Sequence, residues 1–321
     1  MSHESYKHIA FLSRFSLRHK QRREFIEGLL LIIPATSILF LFGYFAFFYA
    51  FYISFLKWNY ISDPIFIGLD NYRKVLNDLI KGLLGAPWYE ASFFIGLRNI
   101  LIYTLIVVPT QTILALILAA IASSRVRGVS SLSTAYLLPG FTCSVIIALI
   151  FVYLFSQRGF INYLMNLIVP GFGYPDWLNS RNLVIPAMAI VAIWGTSSNL
   201  AILFMASMQS IPRDVLEQAK LDGADPVKRF IYITLPLIRP TIIYALIVGT
   251  IGALQMFDLA FVMAGPQGGV EYSGMTVVLD IYRTAFAQLD PGLASAKAMI
   301  FLLLMYIPTL IFLRKYGGGI R

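Results

Sequence analysis

Two kinds of polar segment interrupt a very apolar chain. The first is Glu217-Gln218-Ala219-Lys220-Leu221-Asp222-Gly223-Ala224, running on through Phe230 to Leu235-Pro236. Its chemistry is mechanical: a capped, charged, small-residue knob either lies on a membrane as an ordinary loop helix or seats in a groove of a soluble partner. The second kind is a set of hydrogen-bonding residues inside apolar runs: Thr142-Cys143-Ser144, Trp194-Gly195-Thr196-Ser197-Ser198-Asn199, and Gln255 with Asp258. Polar groups at membrane depth are costly and tend to mark solute paths or helix contacts. For a polar solute, Trp194 offers a stacking face, and the Ser, Asn and Gln side chains offer partners for hydroxyls. Each also has a structural reading. Ser144, Ser197 and Ser198 suit helix packing, Trp194 suits an interfacial belt, and Asp258 suits an ion pair, about 8 Å from the outer end of its run at the helical rise. Nothing in the chain reads as a catalytic triad, metal constellation or nucleophile elbow, and no GxxxxGK[ST] phosphate loop occurs.

The elements that carry these residues follow from composition. Hydrophobic residues form 58% of the chain and charged residues 13%, against roughly 45–50% and 25% in soluble domains. That imbalance makes the bilayer the expected solvent. The net charge of +9 does not indicate a nucleic-acid partner, because Lys and Arg sit between apolar runs instead of clustering on one face. The single cysteine, Cys143, excludes an internal disulfide and fits no zinc spacing.

Six runs are long enough to cross a bilayer, near 29–56, 99–122, 134–156, 184–206, 241–263 and 296–314. The expected fold is all-α and polytopic. The first run is longer than needed and should tilt or protrude. Pro34, Pro109, Pro139, Pro186 and Pro308 should be packed by protein or kink their spans. Residues 1–28 read as a cytoplasmic leader, since the polar start and the long apolar run do not make a signal peptide. With the N-terminus, 123–133, 207–240 and the C-terminus on one side, that side holds 16 of the 25 Lys and Arg, so both termini are expected in the cytoplasm. In the external loop 57–98, Val75, Leu76, Leu79, Ile80 and Leu83 have the spacing of an amphipathic helix at the outer surface.

In the cytoplasmic loop 207–240, Ser210-Ile211-Pro212 reads as a helix start with a capping hydroxyl. Asp214 and Glu217 suit a helix N-terminus. Asp222-Gly223 should stop the helix near Leu221, and Asp225-Pro226 should start another. Two short helices hinged at Gly223 result, with Val215, Leu216 and Ala219 forming an apolar patch.

Glu217-Gln218-Ala219, Gly223, Phe230, Ile233 and Leu235-Pro236 resemble the "EAA" loop of permease subunits of bacterial ABC importers, with Gln218 in place of the first alanine. Gly68-Leu69-Asp70-Asn71-Tyr72 is similar to the "GLDNY" of the sugar subfamily. Phe257-Asp258-Leu259, Gly265-Pro266-Gln267-Gly268-Gly269 and Ile281-Tyr282-Arg283-Thr284-Ala285-Phe286 are similar to its "FDL…TGGGP…YRTAF" stretch, with the Gly/Pro order altered. The likeness, to the maltose and glycerol-phosphate type of permease, covers roughly 28–316.

The resemblance implies a six-span permease domain over 29–316 with a short cytoplasmic tail at 317–321, in a bacterial inner membrane. It implies a non-catalytic subunit that pairs with a second, homologous permease subunit. Two separate ATPase subunits would hold the ATP and Mg, this chain binding no cofactor itself. An extracytoplasmic solute-binding protein would deliver a sugar or oligosaccharide. It implies that Leu216, Glu217, Gln218, Ala219, Asp222, Gly223, Ala224 and Phe230 couple to an ATPase. It supports a solute path among Ser144, Trp194, Gly195, Ser197, Asn199, Gln255 and Asp258. A stand-alone secondary transporter or channel, and a membrane scaffold subunit without a solute path, are the other readings.

Overall fold

The computed structural model describes residues 24–123 and 136–316. The expected leader up to residue 23, most of the basic loop at 123–133 and the tail at 317–321 lie outside the described residues. The chain divides into two compact units, Met1–Ile53 and Ser54–Arg321.

In the first unit, helix α1 spans Glu24–Ile53. Thirty residues give about 45 Å of helix, more than the roughly 30 Å of a hydrocarbon core, as the length of this apolar run predicts. A π-helical turn at Phe40–Phe45 lies within it.

The second unit is helical apart from one short antiparallel ladder, Leu56–Lys57 (β1) on Ile65–Phe66 (β2). Helix α2 (Asp70–Leu83) follows. Long helix α3 (Ser92–Ala122) comes next, then α4 (Ser144–Leu154), α5 (Phe160–Ile168) and α6 (Val184–Gln209). The knob is α7 (Arg213–Leu221) and α8 (Pro226–Arg229), the latter continued by a π turn at Phe230–Thr234. Helices α9 (Arg239–Leu254), α10 (Asp258–Met263), α11 (Val277–Tyr282) and α12 (Pro291–Tyr316) complete the chain.

Helices α3 and α6 pack along each other, with α9 against α3. Phe93, Ile100, Val107, Val184, Met188 and Val191 form the core at one end of that pair. At the other end Ala115, Ala119, Ala201 and Ala245 lie beside Phe204 and Met208. Small residues there allow close approach of helices that gain little from hydrophobicity in lipid.

Four helical stretches among the described residues are long and apolar enough to cross a membrane: Glu24–Ile53, Ser92–Ala122, Val184–Gln209 and Arg239–Met263, the last comprising α9 and α10. The predicted third span corresponds to a shorter apolar helix, Ser144–Leu154, and the predicted sixth lies within α12, Pro291–Tyr316. The third is short because Leu138–Phe141 forms a 3-10 turn and α4 begins only at Ser144. Eleven residues cover about 16 Å, half a bilayer core. Helix α3 runs unbroken through Pro109, whose ring is exposed, so the expected packing around it is absent among the described residues. Pro186 falls in the first turn of α6, where its missing N–H has no intrahelical partner to lose.

Helix α2 is not a free surface helix. Val75 and Asn71 are buried, whereas Leu76, Ile80 and Leu83 are exposed. The Asn71 side-chain amide donates to the carbonyls of Ser54 and Leu56, at 3.0 and 2.8 Å. The Tyr72 hydroxyl lies 2.6 Å from Ser54 Oγ. The Gly68–Tyr72 motif therefore acts as a clamp. The polar side chain faces inward because it satisfies carbonyls that the short ladder leaves open.

Asp78 on α2 accepts hydrogen bonds from the backbone N–H groups of Phe93 and Phe94, at 3.2 and 2.9 Å, and so caps α3 from another helix. Burial pushes its carboxyl above the usual value of 3.8, outweighing the two N–H donors and the Lys297 charge, which pull it down. The native state therefore holds this proton more tightly than the unfolded chain. The group's contribution to stability is full below the usual carboxylate value and is lost as pH rises through the raised native one. Asp78→Asn should remove that slope. Thermal unfolding of the purified protein between pH 4 and 7 should show the Tm of the variant gaining on wild type as pH increases; parallel curves would refute this.

Candidate functional site

The knob is built as its turn residues predict. Gly223 has φ +78, a conformation that costs other L-residues about 1–2 kcal/mol. The Ala224 N–H bonds the Ala219 carbonyl at 3.0 Å and the Gly223 N–H bonds Lys220 at 3.2 Å, the two closures of a Schellman ending. Asp225 Oδ1 then accepts from the Lys228 N–H at 2.7 Å with Pro226 at the first helical position.

Two expectations fail here. Ser210 is no cap of α7: it ends α6 and its hydroxyl donates to the Ser207 carbonyl at 2.8 Å. Helix α7 starts after Pro212 without a side-chain cap. Nor do Val215, Leu216 and Ala219 form a common outward patch. Ala219 is buried, and Leu216 and Phe230 pack on the cluster of Phe204, Met208 and Ile211. They hold the knob to the helix bundle. Glu217, Gln218, Asp222 and Gly223 are exposed, with Ala224 half-buried. Gln218 replaces the motif alanine at an exposed position, where a longer side chain has room.

The isolated polar residues converge on a cavity of about 530 Å³ between α3, α6, α9 and the starts of α4 and α10. Ser144, Gly195, Asn199, Gln255 and Asp258 line it, as do Tyr103, Gln111, Thr142 and Thr196. Two interruptions of the backbone produce this. One is the 3-10 turn and extended link before Ser144; the other is the break at 255–257 between α9 and α10. Non-helical backbone at membrane depth is tolerated where it faces a cavity or is otherwise satisfied. Here Thr276 Oγ1 donates to the Met256 carbonyl at 3.0 Å.

Ser144 Oγ donates to Asp258 Oδ2 at 2.5 Å and so ties the two interruptions together. Gln111 is buried within α3, and Thr196 Oγ1 donates to its Oε1 at 2.5 Å. A Cβ on Gly140 would stand 2.6 Å from Asn199 Oδ1, so a glycine there lets the amide lie against the turn.

Ser197 and Trp194 do not belong to this cavity. Ser197 is buried on another face of α6, its hydroxyl directed at the Trp194 carbonyl 3.5 Å away. Trp194 lines a smaller adjacent cavity of about 270 Å³ and stands edge-on to Phe151 at 5.5 Å. Successive residues on a helix point about 100° apart, so 194 and 197 cannot share every neighbour of 195 and 199. Gln111 was missed, although a lone glutamine in a 31-residue apolar helix is the same kind of signal that picked out Gln255.

A second polar group, also not singled out, lies outside the cavity. Asp280 is fully buried and accepts from Lys297 Nζ at 2.6 Å and Arg283 Nη2 at 3.3 Å. Lys297 Nζ also donates to Thr284 Oγ1 at 2.9 Å. Arg283 lies over the Tyr272 ring at 4.4 Å and bonds its hydroxyl. Asn99 on α3 donates to the carbonyls of Tyr272, Ser273 and Met275, at 3.0 to 3.1 Å. The loop before α11 is thus pinned from both sides.

The model of the family described as binding-protein-dependent transport system inner membrane component matches residues 82–314. The chain is 33% identical over 290 residues to the sulfoquinovosyl glycerol transport system permease protein of Agrobacterium fabrum, covering 89% of each. It is 30% identical over 295 residues to the trehalose/maltose transport system permease protein of Thermococcus litoralis, covering 91% of this chain and 94% of that one. A chain in the crystal structure of a bacterial ABC transporter involved in the import of the acidic polysaccharide alginate superposes with a TM-score of 0.76 at 20% identity, over 95% of this chain and 100% of the other.

Proposed function

We propose a function from one premise: this chain belongs to the family of binding-protein-dependent transport system inner membrane components. It forms half of the membrane path of an ATP-driven ABC importer for a sugar or oligosaccharide. The observation that carries this reading is the convergence of several polar side chains on a largely apolar cavity at two helix interruptions, with the exposed Gly223 hinge elsewhere on the same unit. A bundle built only for scaffolding has no need to leave Gln111, Asn199, Gln255 and Asp258 around empty volume at that depth.

In this reading a second permease subunit closes the other half of the path. Six spans place both termini and the knob in the cytoplasm. An ATPase subunit grips Glu217, Gln218, Asp222 and Gly223, while Leu216 and Phe230 pass its movement into α6 and α9 through the cluster they pack on. ATP and Mg stay with the ATPases. A solute-binding protein on the outer side loads the cavity, and Ser144, Asn199, Gln255 and Asp258 exchange hydrogen bonds with solute hydroxyls as access alternates.

Purification of this chain with its neighbouring transport subunits tests the reading. A complex containing two ATPase subunits, with ATP hydrolysis stimulated by the loaded binding protein, is expected. Solute uptake that follows an ion gradient and proceeds without any ATPase would overturn it in favour of a stand-alone transporter.

A further inference from the structure

Helix α5 is built inside out for a helix in water. Phe160, Tyr163, Leu164, Leu167 and Ile168 follow the spacing of one helical face. That face is turned outward: Phe160, Tyr163, Leu167 and Ile168 are 59–68% exposed. The polar residues point the other way. Asn162 is fully buried, and its amide donates to the carbonyls of Gln157 and Pro175, at 2.9 and 3.0 Å. Its Oδ1 accepts from Trp177 Nε1 at 2.7 Å. Asn166 donates to the Gly173 carbonyl at 2.5 Å and accepts from the Gly173 N–H at 3.1 Å. These bonds strap the returning segment 170–177 to the inner side of α5 and fix which face looks out.

We propose that this outward face lies in the lipid bilayer, at the headgroup boundary of the outer leaflet. Three observations choose lipid over a protein partner. From Gly159 to Pro175 the chain has no Asp, Glu, Lys or Arg, and its polar side chains are the two inward asparagines, Tyr163 and Tyr174. A protein interface carries a polar rim, whereas exposed tyrosines beside apolar residues suit a membrane boundary. Charge stands at the edge of the stretch. Arg158 is exposed and has no acidic partner among the described residues, so its guanidinium is free to pair with lipid phosphates. Asp176, at the other end, is occupied by the Asn179 backbone and amide. The surface also continues from the predicted third span: only residues 155–159 separate α5 from α4, which has an exposed stripe of Ile146, Leu149, Ile150 and Tyr153. A helix embedded in this way fixes the depth of α4, which at 11 residues is too short to set its own. The proposal rests on the six-span reading, which puts 157–183 on the outer side.

The test uses the complete transporter in nanodiscs of phosphatidylethanolamine and phosphatidylglycerol, with and without its loaded binding protein. A nitroxide is attached at Tyr163→Cys or Leu167→Cys, and the signal of the parent chain is subtracted to remove labelling at Cys143. Power saturation compares relaxation by oxygen, which concentrates in lipid, with relaxation by a water-soluble nickel chelate. Oxygen should dominate at both positions, at a depth of about 5–10 Å into the headgroup boundary, whether or not the binding protein is docked. Nickel dominance at both positions overturns the proposal. Shielding from both relaxants also overturns it and assigns the face to the second permease subunit. Nickel access that is lost when the binding protein docks overturns it in favour of that protein. ATP hydrolysis stimulated by the binding protein in the same preparations reports the importer reading separately, so either can fail alone.

Discussion

Replacing Gly223 by valine should cut coupled uptake by about tenfold or more while the chain still accumulates in the membrane. The residue has φ +78, and a Cβ placed on it meets no other atom within 4 Å. The penalty is therefore conformational and not steric crowding. Holding a non-glycine residue in that region costs about 1–2 kcal/mol, and a β-branched side chain is the worst suited. The strain is relieved by turning residue 223 out of the left-handed region. That breaks the Gly223–Lys220 and Ala224–Ala219 closures and re-aims α8 relative to α7. The two sides of the hinge are anchored separately, α7 by Leu216 and the π turn that continues α8 by Phe230, so the bundle stays folded while its exposed knob changes shape. Gly223→Asn is the informative control, because asparagine tolerates this conformation and should retain most activity. Paired measurements of solute-stimulated ATP hydrolysis and uptake decide the matter. Wild-type coupling in the valine variant would end the claim that this hinge passes on the work of an ATPase.

Asp280→Ala should be the most damaging single change to the fold, at about 3–5 kcal/mol, the usual cost of removing one partner from a buried ion pair. The substitution leaves Lys297 and Arg283, both buried, without their shared anion. Most of the penalty is the desolvation of the two stranded cations. Against a typical total stability of about 5–15 kcal/mol, the variant should show a markedly lowered melting temperature in detergent or fail to accumulate. Lys297→Met should cost less. It removes one cation, lets Asp280 keep Arg283, and leaves an apolar side chain of similar length in its place. A melting temperature for Asp280→Ala equal to wild type would mean that the cluster is hydrated and not the buried anchor described here.

Much of the knob was legible in the sequence because its signals are local. Gly after Asp222 and Pro after Asp225 act through their own backbone angles, and the structure places both turns at those residues. Ser210 shows the limit. A hydroxyl two residues before a proline fits a helix start as well as a helix end, and the length of α6 settles which. The amphipathic spacing of α2 was equally legible, but not the inward aim of Asn71, whose partners are carbonyls 15 and 17 residues earlier.

Composition and run length set the class of this protein, since a chain so apolar must be dissolved by lipid, and local turn chemistry set the Gly223 hinge. They did not set which polar residues meet. Helices α3 and α6 are apolar around their whole circumference, so no moment marks the face turned to the cavity. Two arrangements exist only in the folded chain. Ser144 finds Asp258 across 114 residues. Lys297 finds Asp280 from a separate helix. Both depend on backbone interruptions or helix packing that bring the groups together, and burial then makes each pairing matter, because a polar group withdrawn from water must find its partner inside the protein.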